Sequence, residues 1–322
     1  MTTLGELGES AVLGRIIPRL PSTPSALVGP GDDAAVIAAP DGRFVVTTDM
    51  MVHGPDFRLA WSSPADLGWK AAATNLSDVA AMGARPTALV VAIAAPPTTT
   101  VEFLDAFADG LREACAELAP GCGVVGGDLS VSDVLTIAVT AFGDLDSRAP
   151  VLRSGARPGD IVAVSGALGE AAEGLRLLFA HGVVDGHPDA DAAARVAREH
   201  PRAVAAQRRP RPPIADGPAA ATAGATARLD VSDGLARDAA RIAEASAVAL
   251  ALEGLTEQQF HGAEDHGLLA TFPAGTALPG GFRRIGVVEN GTGVTLDGVR
   301  SEPLSLGAPV AAPPAHAEAR AS

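Results

Sequence analysis

The chain has 322 residues, of which 47% are hydrophobic and 19% are charged, and its formal net charge is -14. This length allows two domains that each bury a core, and the composition is typical of a soluble globular protein. The excess of acids excludes a protein that binds nucleic acid through clustered Lys and Arg. An acidic protein can still bind a nucleotide when divalent cations bridge its carboxylates to the phosphates.

The amino terminus, the apolar segments and the cysteines indicate a cytoplasmic protein. Met1 to Ser10 lacks the basic-then-apolar pattern of a secretory signal, and apolar runs such as Ala88 to Pro97 are too short to span a bilayer. Cys115 and Cys122 are the only cysteines and form no CxxC pair, which predicts reduced thiols in or near the core. We therefore expect no membrane partner, no disulfide and no zinc site.

The first predicted strand ends at candidate ligands. β-Branched and aromatic residues over Arg43 to Thr48 predict a strand that ends at Asp49. Thr47, Thr48 and Asp49 therefore place two hydroxyls and a carboxylate at a strand end, where a metal ion could bind. An ordinary solvated strand end is the alternative interpretation.

Two helices are predicted in the first half of the chain. Ser63 is a good N-cap and Pro64 suits the first helical position, so a helix should run to about Met82 and end at Gly83. Val101 to Leu118 carries apolar residues at helical spacing and predicts the second helix. Strands are expected at 88–93 and 134–142. Interleaved strands and helices of this kind predict an α+β domain.

Turn residues divide the chain near Ser147. The segment Arg157 to Asp160 has the composition of a turn, and an apolar strand resumes from there to Ser165. The proline-rich block Arg208 to Pro213 is predicted to be a loop. We expect an N-terminal domain over 1–147, a C-terminal domain over 148–306 and a disordered tail over 307–322.

Polar residues occur within the first predicted helix. Asn75 and Asp78 are three residues apart and therefore share one face of an Ala-rich segment. Lys70 is the only lysine of the chain, and its compact charge suits a phosphate contact. Solvent-facing polar side chains and a surface lysine are the simpler interpretation.

Two glycine motifs end in carboxylates. Gly31-Asp32-Asp33 places two adjacent acids on a turn, where a cation could bridge them. In Gly126-Gly127-Asp128, the glycines would let the backbone approach a ligand closely while the carboxylate enters from a turn. Plain solvated turns are the alternative in both cases.

The segment Asp230-Val231-Ser232-Asp233-Gly234 is the sharpest motif of the chain. Alternation places Asp230 and Ser232 on one side, and Ser232 is predicted to be the N-cap of the following helix. A helix N-terminus beside carboxylates suits a metal-bridged phosphate, although a capped helix with solvated acids has the same sequence. No Walker A run, kinase-type glycine loop or G-x-S-x-G elbow is present. The residues alone therefore indicate a multi-carboxylate, magnesium-dependent phosphate enzyme.

Seven stretches together resemble the thiamine-monophosphate kinase family of the aminoimidazole-ribonucleotide-synthetase-like superfamily. They are Gly31-Asp32-Asp33, Thr47-Thr48-Asp49, Asp66 to Lys70, Asn75 to Ala84, Gly126-Gly127-Asp128, Arg153 to Asp160 and Asp230 to Leu235. The similarity extends from about Leu7 to Gly286, and the segments 75–84 and 154–160 are the most specific to the family.

This resemblance implies a fold, a reaction and a set of site residues. The expected fold is α+β, with an N-terminal sheet or barrel domain that pairs with its twin in a homodimer and a mixed α/β C-terminal domain. Magnesium ligands are implied at Asp33, Thr47, Thr48, Asp49, Asp78, Asp128, Asp230 and Asp233, of which Asp78, Asp128 and Asp233 would be catalytic. ATP contacts are implied at Gly127, Asp128, Arg153 and Ser232. The implied reaction moves the γ-phosphoryl group of ATP onto thiamine monophosphate, which depends mainly on positioning and charge neutralisation.

The positions on the acceptor side depart from the family pattern. The usual Gly-X-His-Phe is Gly54-Pro55-Asp56-Phe57 here, and the usual Gly-Gly-Glu-Asp-Tyr-Glu is replaced by a string that contains Glu264 and His266. Asp56 and Glu264 are therefore the residues implied to bind the acceptor. Two alternatives remain open: another ATP-dependent enzyme of the superfamily with a different acceptor, and a nucleotide-binding paralogue without turnover.

Overall fold

The computed structural model describes residues 2–7, 9–30 and 35–301. Asp33 and the predicted tail over 307–322 lie outside the described residues. The described chain contains two separate sheets, each with its own helices, and the predicted mixed α+β fold is confirmed. The domain boundary near Ser147 stays a prediction.

Short helices and strands open the first half of the chain, and two long helices and four long strands follow. The helices are α1 (Leu4–Leu7), α2 (Glu9–Ile16), α3 (Pro64–Ala81) and α4 (Val101–Leu118), with a 3-10 turn at Ile17–Arg19. The strands are β1 (Ala26–Val28), β2 (Val36–Ile37), β3 (Val45–Val52), β4 (Arg85–Ala95), β5 (Gly123–Val131) and β6 (Thr136–Asp144).

The second half of the chain alternates strands and helices. Its helices are α5 (Glu170–His181), α6 (Ala190–Glu199), α7 (Pro201–Arg208), α8 (Asp216–Thr222), α9 (Leu235–Ser246) and α10 (Glu257–His261). Its strands are β7 (Ile161–Ser165), β8 (Val183–Val184), β9 (His187–Pro188), β10 (Ala227–Val231), β11 (Ala249–Leu252), β12 (Gly267–Phe272), β13 (Arg283–Glu289), β14 (Gly293–Leu296) and β15 (Val299–Ser301).

The helix α3 begins and ends where the sequence predicts. The Ser63 hydroxyl accepts a hydrogen bond from the Asp66 amide, the Asp66 carboxylate accepts one from the Ser63 amide, and Pro64 occupies the first turn. Gly83 follows the helix with φ +85°, a conformation that favours glycine. The predicted bounds of α4 are confirmed as well.

Two glycines let α3 and α4 pack with their backbones in contact. A Cβ atom on Gly68 would lie 2.0 Å from the Phe107 carbonyl oxygen, and one on Gly110 would lie 2.0 Å from the Ala65 carbonyl oxygen. Any larger residue would force the helices apart. The pair covers one face of the first sheet, and their apolar residues form its core together with the two buried cysteines, both of them free thiols.

The first sheet has the strand order β3-β6-β4-β5, in which only β4 and β5 pair in parallel. Two strand ends that the sequence predicts, those of β3 and β5, are wrong. The ladder from β3 to β6 continues to the pair Val52–Thr136, so Asp49 lies inside a strand. The Gly126-Gly127-Asp128 motif also lies inside a strand, because β5 keeps pairing with β4 as far as Val131.

The second sheet has the order β10-β12-β7-β13-β11-β14-β15, with only β11 and β14 parallel. Asp230 lies near the end of β10, next to the start of α9. The predicted N-cap is wrong: Gly234, with φ +97°, precedes α9, and the Asp233 amide donates instead to the Asp238 carboxylate. Ser232 therefore keeps its hydroxyl free of the capping role.

Hydrogen bonds to and from α3 join the two halves of the molecule. The Trp69 indole donates to the Pro210 carbonyl oxygen at 2.7 Å, and the buried Arg228 guanidinium donates through Nε to the Ala81 carbonyl oxygen at 2.7 Å. The proline-rich block after α7 is a loop, as predicted. The helix α3 is consequently covered on both sides, and within the described ranges no helix is long and apolar enough to cross a bilayer.

Candidate active site

One end of α3 faces β3 across a short polar contact. The Thr47 hydroxyl donates to Asp78 Oδ2 at 3.0 Å, and the Asp49 amide donates to Asn75 Oδ1 at 3.1 Å. Asn75 is 1% exposed. The expectation that this helical face is solvated is therefore wrong, because the second half of the chain packs over it.

The carboxylates of Asp49, Asp78 and Asp230 act on one another. Burial raises the pKa of Asp78 to about 7, and the negative charges of Asp230 and Asp49 add to this effect. Burial likewise raises the pKa of Asp49, with Asp230 contributing and His266 opposing. The structure thus brings together three of the predicted ligands, from β3, α3 and β10, in a site where their charges are costly.

His266 forms the other side of this acid cluster. Its Nδ1 atom lies 3.2 Å from Asp230 Oδ2, and the residue is 8% exposed. Burial alone would lower the pKa of His266, but the hydrogen bond and charge of Asp230 outweigh burial and the pKa is raised. In the sequence His266 is only a departure from the family string, since nothing local indicates that it lies beside Asp230.

Lys70 and Glu264 form an ion pair between α3 and the loop before β12. Lys70 Nζ lies 2.6 Å from Glu264 Oε2, and the lysine side chain is only 8% exposed. The interpretation of Lys70 as a surface residue is therefore wrong. Burial alone would raise the pKa of Glu264, yet the Lys70 charge lowers it below its usual value. The Glu264 amide also donates to the Ser232 carbonyl oxygen at 3.0 Å, which ties this loop to the end of β10.

A cavity of about 750 Å³ opens beside the acid cluster, between the two halves of the chain. Thr47, Asp78 and Asp230 line its acidic side, and Arg43, Arg153 and Arg228 also line it. Arg153 is exposed and makes no ion pair with any residue of the described chain. A cavity of this size, with carboxylates and guanidinium groups converging on it, suits an anionic ligand with bound cations.

Five predicted site residues lie outside this cluster: Thr48, Asp56, Gly127, Asp128 and Asp233. The Thr48 hydroxyl donates to the Val139 carbonyl oxygen at 2.9 Å, on the side of β3 away from Asp78. Asp233 is engaged by Arg241, whose Nη2 lies 2.5 Å from Asp233 Oδ2. Asp128 is exposed on β5 and accepts from the Ser130 hydroxyl at 2.8 Å. Asp56 closes a turn by accepting from the Val52 amide at 2.7 Å.

The last of these five residues, Gly127, is glycine for a reason within the sheet. A Cβ atom there would lie 2.0 Å from the Val91 carbonyl oxygen of β4, whereas one on Gly126 would meet nothing within 4 Å. Gly127 therefore allows β5 to lie close to the neighbouring strand β4.

The chemistry of the acid cluster fits magnesium. Among the described residues, no three His, Cys, Asp or Glu side chains come together closely enough to hold a metal ion by themselves. Mg²⁺ usually keeps several waters and binds through one or two carboxylates plus the phosphates of a nucleotide, so a closed cage of side chains is not required. Asp49, Asp78 and Asp230 provide hard oxygen donors whose repulsion a cation would relieve.

The sequence is similar to known proteins along most of its length. The model of the AIR synthase related protein, N-terminal domain, matches residues 31–145. A thiamine-monophosphate kinase of Mycobacterium tuberculosis is 43% identical over 317 residues, which covers 92% of this chain and 90% of the relative. The chain belongs to the thiamine-monophosphate kinase family.

Solved structures of the thiamine-monophosphate kinase family share the fold. The enzyme of Stenotrophomonas maltophilia is 29% identical, with a TM-score of 0.75 over 92% of this chain and 98% of that one. AaThiL complexed with AMPPCP and TMP is 28% identical, with a TM-score of 0.69 over 94% of this chain and 97% of that one. AMPPCP is a methylene analogue of ATP. The predicted two-domain architecture is confirmed by these matches.

Proposed function

We propose that this chain is a thiamine-monophosphate kinase, which transfers the γ-phosphoryl group of ATP to the phosphate of thiamine monophosphate. An oxygen of the acceptor phosphate forms a bond to the γ-phosphorus, the bond from this phosphorus to the β,γ-bridging oxygen breaks, and ADP and thiamine diphosphate leave. The observation that carries the proposal is the cavity lined by Asp78, Asp230 and Arg153, in a chain that is 43% identical to a thiamine-monophosphate kinase.

The chain's own residues would hold the nucleotide by charge and by backbone contact. Arg153 lines the cavity and makes no ion pair with any described residue, so its guanidinium is available to bind phosphate oxygens in a bidentate fashion. Ser232 has its hydroxyl free of capping, beside the start of α9. Gly127 and Asp128 complete the set of proposed ATP contacts.

Magnesium would neutralise the charge that develops on the transferred phosphoryl group. The residues proposed to hold it are Asp33, Thr47, Thr48, Asp49, Asp78, Asp128, Asp230 and Asp233. Within this set, Asp78 is positioned by the Thr47 hydroxyl and Asp230 by the His266 ring. Asp233 would exchange its Arg241 partner for the cation, because the two positive groups compete for one carboxylate.

The acceptor would bind near Glu264 and Asp56. Thiamine carries a cationic thiazolium ring, and a carboxylate attracts such a ring. Lys70 keeps Glu264 ionised and in place, since its charge lowers the pKa of that carboxyl. Asp56 retains one carboxylate oxygen beyond the one that accepts from the Val52 amide.

We further propose that the protein acts in the cytoplasm as a homodimer. The face of the first sheet that α3 and α4 leave uncovered carries exposed apolar side chains: Val46 and Met50 are 54% and 63% exposed. An apolar face of this kind is typical of a protein interface. Its burial against a second copy would remove these side chains from water.

The test is conversion of ATP and thiamine monophosphate to ADP and thiamine diphosphate by the purified protein, followed by chromatography with and without Mg²⁺. Unphosphorylated thiamine is the control acceptor, and the Asp78→Asn variant is the control protein. Magnesium-dependent diphosphate formation by the wild-type chain alone supports the proposal. Hydrolysis of ATP without diphosphate would indicate a different acceptor, which the Asp56 and His266 departures would then explain. ATP binding without turnover would indicate a non-catalytic paralogue.

A further inference from the structure

Arg228 is a buried guanidinium on β10 that forms no ion pair with any carboxylate of the described ranges. The residue is only 1% exposed. Burial lowers the pKa of Arg228 to about 9, and the positive charge of Arg148 adds to this effect. A buried charge without a counter-charge is costly, so the hydrogen bonds that Arg228 makes must offset this cost.

The hydrogen bonds of Arg228 go to backbone carbonyl groups of two helices. Nε donates to the Ala81 carbonyl oxygen at 2.7 Å, at the carboxyl end of α3, and Nη1 donates to the Gly217 carbonyl oxygen in α8. The last carbonyl oxygens of a helix have no partner within it, and their partial negative charge favours a cation. Arg228 therefore caps α3 from a strand that lies 147 residues later in the chain.

The third nitrogen of the guanidinium group is not available to a ligand. Nη2 of Arg228 has no hydrogen-bond partner in the described chain, and the atom itself is buried. Arg228 therefore differs from Arg153, which is exposed beside the same cavity. The contacts of Arg228 hold backbone segments together and leave phosphate binding to other residues.

Close packing surrounds this contact. A Cβ atom on Gly217 would lie 2.4 Å from the Ala80 carbonyl oxygen, so the backbone of α8 lies directly against the last turn of α3. The Arg228 amide also donates to the Leu152 carbonyl oxygen at 2.8 Å. The end of α3, the start of α8 and β10 consequently meet at one side chain.

Two of these elements carry acids of the cluster. Asp78 lies three residues before Ala81 on α3, and Asp230 lies two residues after Arg228 on β10. Residues two apart in a strand point to the same face, so Arg228 and Asp230 both face α3. A shift of α3 relative to β10 would therefore change the separation of the two carboxylates.

The acids by themselves push these two elements apart. The negative charge of Asp230 raises the pKa of Asp78, which means that the two carboxylates repel when both are ionised. Arg228 is not among the charges that shift the pKa of Asp78 or of Asp49. The hydrogen bonds of Arg228 thus oppose the repulsion through the backbone and leave the charge of the cluster unchanged.

We propose that Arg228 is a positioning residue for phosphoryl transfer, which sets the separation of Asp78 and Asp230 before the magnesium-nucleotide complex binds. The inference rests on the proposed function, since it concerns the same site. Arg228 precedes the stretch resembling the family, which begins at Asp230, so the motif assigns it no role. A site whose ligands are held in place in advance binds its ligand more tightly and keeps the reacting groups aligned.

Arg228→Met and Arg228→Lys test this role. Methionine fills much of the space without donating a hydrogen bond, whereas lysine can still donate to one of the two carbonyl oxygens. At a temperature where each variant is fully folded by circular dichroism, Arg228→Met should bind ATP with Mg²⁺ about tenfold more weakly in calorimetric titration and show an about tenfold lower kcat. The KM for thiamine monophosphate should change little. Arg228→Lys should recover part of both losses.

Two control variants separate positioning from stability. Arg148 Nη2 donates to the Gly83 carbonyl oxygen at 3.2 Å, beyond the same helix end, but Arg148 is not part of β10. Leu250 is fully buried in β11, four strands away from β10 in the second sheet. Arg148→Met and the destabilised Leu250→Ala should both keep wild-type ATP affinity and kcat. Wild-type kinetics in folded Arg228→Met, or an equal defect in Leu250→Ala, would overturn the proposal.

A cycle of free energies of unfolding tests the inference without any ligand. At pH 8 in a chelator, Asp78→Asn removes the repulsion that Arg228 opposes and should stabilise the wild-type protein. Where the hydrogen bonds of Arg228 are lost the carboxylates can move apart, so Asp78→Asn should stabilise the Arg228→Met protein less. The Arg228→Lys protein replaces it in the cycle if Arg228→Met does not fold. Equal stabilisation in both backgrounds would contradict the proposal.

The cycle also keeps this inference distinct from the proposed function. Chemical denaturation requires neither ATP nor thiamine monophosphate. A wild-type protein that forms no thiamine diphosphate would contradict the proposed function, while the coupling between Arg228 and Asp78 would still decide whether Arg228 sets the separation of the two carboxylates.

Discussion

Lys70 Nζ lies 2.6 Å from Glu264 Oε2, and this ion pair connects the middle of α3 to a loop almost two hundred residues later in the chain. Glu264 has φ +70°, a left-handed conformation that costs free energy for a residue with a side chain. The contacts of Glu264 with Lys70 and with the Ser232 carbonyl hold this conformation. A buried cation thus sets the position of the carboxylate proposed to face the acceptor.

Replacement of Lys70 by Met should weaken binding of the acceptor. The methionine fills the same space without charge, so Glu264 loses a charge-assisted hydrogen bond, and we expect the KM for thiamine monophosphate to rise on the order of tenfold. The KM for ATP should change little. Steady-state kinetics with each substrate varied in turn provides the measurement.

Glu264→Gln and the Lys70→Met, Glu264→Gln double variant complete a thermodynamic cycle. The double variant should be little worse than either single one, because both substitutions remove the same interaction. Additive losses, or an unchanged KM in Lys70→Met, would show that Lys70 does not act through Glu264.

The pKa of Asp78 predicts how the metal-free protein responds to pH. Its value of about 7 in the folded chain exceeds the ordinary value of 3.8, so the folded state binds this proton more tightly than the unfolded state does. The contribution of this proton to the free energy of unfolding is fully present below pH 4 and is lost as the pH rises to about 7. Between the two pKa values it falls by about 1.4 kcal/mol for each pH unit. Asp78→Asn removes this dependence.

Thermal unfolding in a chelator at pH 5 and at pH 8 measures the effect. The wild-type protein should lose more stability than Asp78→Asn between these two values, and the variant should melt higher at pH 8. Added Mg²⁺ should raise the Tm of the wild-type protein at pH 8 and raise that of the variant much less. Parallel pH responses of the two proteins would contradict the raised pKa.

The two neighbouring glycines of β5 provide a matched pair of substitutions. Gly127→Ala would place a Cβ atom 2.0 Å from the Val91 carbonyl oxygen, so β5 must move away from β4. We expect the free energy of unfolding to fall by about 2 kcal/mol or more. Gly126→Ala has no atom within 4 Å of its new methyl group and should unfold close to wild type. Chemical denaturation of both variants provides the comparison. Equal stability of the two would show that β5 adjusts without cost.

Arg153→Met should raise the KM for ATP by about tenfold or more, because an uncommitted guanidinium is lost from the cavity. Arg43→Met is the control: Arg43 lines the same cavity, but its guanidinium is already bound to Asp41 at 2.9 Å. Loss of the Arg43 guanidinium should therefore raise the KM for ATP less than loss of the Arg153 guanidinium does. Nucleotide titration of both variants decides between them, and a larger defect in Arg43→Met would reverse the assignment.

Much of the secondary structure follows from the sequence because its signals are local. The N-cap at Ser63, the proline after it and the glycine at the C-terminus act on neighbouring backbone groups, so the bounds of α3 could be predicted without knowledge of the fold. The periodic apolar residues of α4 are local in the same sense. Strand ends were less predictable, since the length of β3 depends on its partner β6 rather than on Asp49 itself.

The sequence by itself determined which residue types the site contains, and the resemblance of its motifs to one family indicated which positions those residues occupy. Only the tertiary structure decided which of these residues meet. The burial of Lys70 and Asn75, the pairing of His266 with Asp230 and the width of sheet between Asp49 and Asp128 all depend on segments far apart in the chain. Packing of the second half over α3 creates these relationships, because burial and charge coupling are properties of the assembled core and no local pattern encodes them.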